Sequence, residues 1–137
     1  MFRLNNEKGI AAIEFGLILP ILLVLIMGII DFGLLMTSRA SMVSASREGA
    51  RAGIVKAVPS VTEADIEEIV RNALTKSGWD EADVDSATVD VTGAGGAFGT
   101  DLTVGVNSNY SFLVLSNLVP SIEDQIILNA STTMKME

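Results

Sequence analysis

The apolar positions of the chain change rhythm three times, and each change predicts a different element. After a polar stretch over residues 1–9 the sequence turns apolar at once, and Phe15 to Ile30 contains sixteen residues without a charge. A helix over residues 10–30 would be roughly 31 Å long at 1.5 Å per residue, enough to cross a hydrocarbon core. Pro20 lies inside this run, where it removes one backbone hydrogen bond and crowds the carbonyl of Gly16. A kink or melted turn is therefore expected over Gly16–Pro20, tolerable in lipid if neighbours re-satisfy the freed group.

Past Met36 the rhythm becomes that of a helix in water. Residues 37–55 hold Thr, Ser, Ala, Gly, Arg and Glu without proline. Met36, Ala40, Val43, Ala50 and Ile54 fall near helical spacing, with Arg47 interrupting. Ala45, Gly49 and Gly53 recur every fourth position, a stripe of small residues that permits close approach of another helix or of the distal part of the chain. Two glycines inside a helix cost about 1 kcal/mol each, which calls for a packing reason. Val58-Pro59 is expected to end the element.

The remainder reads as a small α+β head. Thr62-Glu-Ala-Asp65 opens a helix as an acidic form of the capping box. Ile66, Ile69, Val70, Ala73 and Leu74 give it one apolar face, and Ser77-Gly78 closes it, with Gly78 as a left-handed cap. Trp79 is expected to pack back on that helix end. Three alternating runs follow, around Val89 and Val91, from Leu102 through Val104 and Val106 toward Tyr110, and from Ile126 through Leu128 and Ala130 to Met134. Gly93 to Gly99 joins the first two, and Asn117 to Pro120 lies in the second connection. The pattern predicts an antiparallel meander with one face against the helices. The expected organisation is a polar segment (1–9), a membrane helix (10–36), its continuation in water (37–57) and a head (58–137) of one further helix and a three-stranded sheet.

Charge sharpens this division. Residues 57–137 carry three basic and thirteen acidic side chains, a net −10, whereas residues 37–56 carry four basic against one acidic, a net +3. An acidic head repels phosphates, so nucleic acid is an unsuitable partner. The basic stretch, beside a membrane segment, suits anionic headgroups, acidic neighbours or simple solvation.

With no cysteine and no histidine, disulfides, thiol chemistry and imidazole catalysis are excluded. The glycine-rich run lacks the third glycine of a dinucleotide loop, having Phe98 there, and no lysine follows it as in an ATP loop. Asp80, Glu81, Asp83, Asp85 and Asp90 could offer oxygens to calcium, but without the spacing of an EF-hand they read as a solvated acidic turn. No pair of carboxylates marks an acid/base site. The expectation is a non-enzyme without a cofactor.

The most unusual placement is Glu14, one carboxylate inside the apolar run. An unpaired charge there costs roughly 2.5–3.5 kcal/mol even on lenient insertion scales. The junction Gly9-Ile-Ala-Ala-Ile-Glu-Phe15 resembles a type IV prepilin cleavage site. The continuation through Gly16-Leu-Ile-Leu-Pro20, Gly28-Ile-Ile-Asp31-Phe-Gly33 and Arg47-Glu-Gly-Ala-Arg51 resembles the TadE-like pseudopilins of tight-adherence pili. The resemblance implies that Gly9 and Ile10 flank a scissile bond, that Phe15 belongs to the recognition motif, and that Glu14 pairs with the freed amine of an adjacent subunit. Read alone, Glu14 would lie one turn inside the interface and snorkel to water. Asp31 reads as a marker of the far headgroup layer.

By the same resemblance, Pro20 and the stripe Ala45, Gly49 and Gly53 would join Glu14 in subunit packing. The partners would be a prepilin peptidase, other pilins or pseudopilins, the inner-membrane assembly platform and the lipid bilayer. Flanking arginines leave orientation open on charge alone. A peptidase acting on the cytoplasmic face would place residues 1–9 inside and the head in the periplasm. The competing readings are an unprocessed, signal-anchored ectodomain that binds an envelope partner, a removed signal peptide, and a membrane-tethered enzyme subunit.

Overall fold

The structure, a computed structural model, describes residues 6–55, 61–112 and 125–136. The expected helix end at Val58-Pro59 and the connection through Asn117 and Pro120 lie outside these residues. The chain divides into two compact units, one built on the N-terminal helix up to Leu34 and one comprising Leu35–Ser111 and Gln125–Glu137.

Helix α1 runs over Asn6–Ile54 as 49 residues with Pro20 inside it. Gly16 to Pro20 stay helical, so the melted turn expected there does not form. Proline removes one donor from the ladder, and the bonds on either side hold the turn. The apolar stretch of α1 is solvent-facing, with Ile13, Leu17 and Ile21 all about 70% exposed. Its mean hydropathy of 2.7 and its length make it a candidate membrane span.

In the second unit, α1 from Leu35 onward forms part of a folded head. Its buried stripe is Leu35, Met42, Ala45, Ser46, Gly49, Ala50 and Gly53. This corrects the face expected from Met36, Ala40, Val43, Ala50 and Ile54. Of that set only Ala50 is buried, and Met36 and Ala40 are exposed. Small residues are required at Gly49 and Gly53, where a Cβ would meet Val70, Ile66 and Leu102, while Leu35 and Met42 fill the wider parts of the same line.

Helix α2, Glu63–Lys76, starts at the expected capping box. Thr62 Oγ1 accepts from the Asp65 N–H at 3.3 Å, and Asp65 Oδ2 accepts from the Thr62 N–H at 2.8 Å. The Thr62 N–H, and after it the Thr62 hydroxyl donating to the same Oδ2 at 2.7 Å, hold the Asp65 carboxyl below its ordinary value of 3.8. Ile66, Val70, Ala73 and Leu74 are the buried face. The helix closes as a Schellman motif: the Trp79 N–H bonds the Leu74 carbonyl, the Gly78 N–H bonds that of Thr75, and Gly78 has φ of 90°.

A short helix α3, Glu81–Ser86, follows where a solvated acidic turn was expected, so the head has two further helices, not one. Val84 anchors it in the core. Arg71 secures its far end, donating to the carbonyls of Val84 at 2.7 Å and Ala87 at 3.5 Å. Six residues are too few for periodicity to reveal.

Strands β1 (Thr88–Thr92), β2 (Asp101–Ser111) and β3 (Gln125–Lys135) form the expected antiparallel sheet in the order β1-β2-β3. Val89 lies opposite Val106, and Val106 opposite Ala130. Val89, Leu102, Val104, Val106, Leu128 and Ala130 are the buried set. Alternation thus puts one face inward and leaves the other to Thr, Asn and Asp.

Candidate functional site

Gly9, Ile10, Glu14 and Phe15 all lie on α1 and are exposed. The helix begins at Asn6, ahead of Gly9, so the Gly9–Ile10 peptide is part of its first turns. Ile10 and Glu14 are four residues apart and share one face, one turn from each other. A free amine at Ile10 would therefore stand on the face that carries the lone carboxylate of this stretch. No cation in the neighbouring apolar run offsets that carboxylate, since residues 9–30 contain no Lys or Arg. Pro20, also exposed, follows two turns later.

The small-residue stripe is built into the head. A Cβ added at Gly49 would come within 2.5 Å of Val70 Cγ2, and one at Gly53 within 2.6 Å of both Ile66 Cδ1 and Leu102 Cδ2. Ala45 is buried beside them along the helix, at 1% exposure. The structure thus places this stripe against α2 and β2 of its own chain.

The loop between β1 and β2 has little room for an anion. Its Gly96, Gly99 and Thr100 N–H groups donate to the carbonyls of Gly93, Met136 and Ala97. Gly93 takes φ of 90°, and a Cβ there would collide with the Asp101 carbonyl. Among the described residues no three His, Cys, Asp or Glu side chains converge on a metal-sized point.

The junction, the apolar run behind it and the stripe occupy one continuous piece of sequence, and a family comparison covers that piece. Residues 9–51 match the TadE-like protein family. The TadE-like segment takes in Gly9, Ile10, Glu14, Phe15, Pro20, Ala45 and Gly49. Gly53, α2, α3 and the sheet lie beyond it. No curated protein and no solved structure matches the chain.

Within the TadE-like segment two side chains acquire a weight that sequence reasoning had not given them. Asp31, read as a carboxylate facing headgroups, is fully buried, so protein covers it. Ser46 is equally buried and donates its hydroxyl to the Val104 carbonyl at 2.8 Å. A serine in a run of small polar residues gives no signal for such a bond. For Asp31 the signal was present, since a carboxylate closing an apolar run of this length needs a partner.

Proposed function

We propose that this chain is a minor pseudopilin that takes part in assembling or priming a tight-adherence pilus after a prepilin peptidase removes residues 1–9. The observation that carries the reading is the position of Glu14. It is an exposed carboxylate on an otherwise apolar face, one turn beyond Ile10, in a segment that matches the TadE-like family. Cleavage after Gly9 would create an amine at Ile10, and an adjacent subunit's Glu14 could pair with it, offsetting the burial of both charges and setting axial register.

In this reading α1 spans the inner membrane once, with residues 1–9 cytoplasmic and the head periplasmic. Partners are the peptidase, other pilins or pseudopilins and the assembly platform. The protein acts through contacts and not as an enzyme. One feature favours a second reading, an unprocessed anchored ectodomain: the Gly9–Ile10 bond is helical, and a peptidase must open that turn to cut it.

Intact mass of the membrane-extracted chain, co-expressed with its cognate peptidase, tests the proposal. A mass corresponding to a start at Ile10, abolished by a Gly9 substitution, is the expected result. A chain that still starts at Met1, while a control prepilin is cut, overturns it in favour of the anchored ectodomain.

A further inference from the structure

We infer that the head carries a docking pocket for an arginine side chain, and that a second copy of this chain supplies it from the Arg39–Arg47 face of α1. The pocket is a cavity of about 200 Å³ where α1, the α2–α3 corner and β2 meet, lined among others by Trp79, Asp80, Asp83, Ser108 and Tyr110. Its described lining contains two carboxylates and no cation.

Three features of the lining point to an absent partner. Asp80 is the N-cap residue of α3, yet its side chain makes no capping bond. Asp83 likewise contributes only its backbone carbonyl, to Ser86 Oγ and the Ala87 N–H. Ser108, only 6% exposed on the inward face of β2, has a hydroxyl with no hydrogen-bond partner among the described residues. Because Ser108 lines the cavity, a donor entering it would find this hydroxyl oxygen open to a bond.

The chemistry of the lining selects the donor. The Schellman cap holds Trp79 at the wall, half-buried. An indole face attracts a cation, and two carboxylates reinforce it. Two carboxylates are too few for a calcium site, which takes six to eight oxygens. A guanidinium is planar, weakly hydrated and able to stack while it donates in a fork, so it meets indole, carboxylates and hydroxyl together better than an ammonium does.

The chain carries a matching surface. Met36, Arg39, Ala40, Val43, Ser44 and Arg47 line a shallow groove on the exposed face of α1. Among the described residues neither Arg39 nor Arg47 makes an ion pair or hydrogen bond, although the head beyond residue 57 has a net charge of −10. Arginines flanked by methionine and valine are suited to a contact that excludes water, and charge complementarity identifies the second copy. This inference goes beyond the processing reading and does not need it, because both surfaces lie in the head.

The chain contains no cysteine, so introduced thiols report cleanly. Two differently tagged full-length copies, one with Ser44→Cys in the groove and one with Ser111→Cys at the pocket rim, are co-expressed and their membranes oxidised. The expected result is a mixed disulfide about fivefold above either like-with-like pair, as a charge-steered contact requires. Arg39→Glu with Arg47→Glu on the first copy should return it to background, and Asp80→Arg with Asp83→Arg on the second should restore it. All four substitutions are at exposed positions, and rescue excludes misfolding. A mixed product no more abundant than the like pairs, or insensitive to the reversals, or not rescued, overturns the inference. Intact mass is a separate readout, so failure here and failure of leader removal are told apart.

Discussion

Ser46 of α1 and Val104 of β2, 58 residues apart in sequence, are joined by a buried hydrogen bond of 2.8 Å. It is a polar tie between the helix and the middle strand of the sheet, at a point where no water competes. Ser46→Ala should lower stability by about 1 kcal/mol, the net worth of a typical intramolecular bond. Ser46→Val should lower it further, since the added methyl has no cavity to fill at a site with 0% exposure. Thermal melts of detergent-solubilised protein followed by circular dichroism would measure both, and equal melting temperatures would show that the bond contributes nothing.

The glycines of the stripe should respond unequally. At Gly49 an added Cβ meets Val70 Cγ2, a stiff β-branched side chain. At Gly53 it meets the terminal methyls of Ile66 and Leu102, which can swing aside. Alanine gains about 1 kcal/mol in helix propensity at either site, whereas overpacking costs about 1–3 kcal/mol. Gly49→Ala is expected to be net destabilising and Gly53→Ala close to neutral. The reverse order in chemical denaturation would contradict the packing described here.

Acid should loosen the start of α2. Its folded state depresses the Asp65 carboxyl through the bonds to Thr62. A depressed carboxyl stabilises above its unfolded value of 3.8 and loses that contribution as pH falls through the lower folded value. Wild type should therefore exceed Asp65→Asn in melting temperature at neutral pH, with the gap closing only below about pH 4. A gap that closes at higher pH would assign the effect to another group.

Arg71 bridges α2 to the end of α3 through the Val84 and Ala87 carbonyls. Charged donors to backbone acceptors are worth roughly 1.5–3 kcal/mol, and a six-residue helix has little intrinsic stability to replace them. Arg71→Met should preserve the stem while speeding amide exchange across Glu81–Ser86. Unchanged exchange there, with β2 as an internal reference, would show that α3 stands without the arginine.

The sheet and α2 were legible because their signals are local. Alternation at Leu102, Val104 and Val106 identifies a half-buried strand, and Thr62 with Asp65 defines a cap by spacing alone. The buried side of α1 was not legible from hydrophobicity. The spacing of Ala45, Gly49 and Gly53 did mark the contact line, whereas Met36 and Val43 misdirected and Met42 and Ser46 gave no signal. α3 was missed because one apolar anchor, Val84, has no period. At the N-terminus, Gly9, Glu14 and Phe15 stood out by junction and charge. A lone carboxylate at the end of the apolar run signalled that Asp31 needs a partner, but its burial depends on tertiary surroundings.

The position of β3 has a consequence for how the protein is made. It follows β1 and β2 in the chain, and it occupies the whole length of β2, from Asp101 opposite Lys135 to Ser111 opposite Gln125. Until β3 leaves the ribosome, the central strand presents an open edge, a template for pairing with foreign chains. Val104 and its neighbours must wait with it. Just beyond β3, the Met136 N–H and carbonyl bond Thr100 and Gly99, so the β1–β2 loop waits for the same segment. The nascent head is thus held unfinished until β3 has emerged, which separates the making of its central strand from the completion of its sheet.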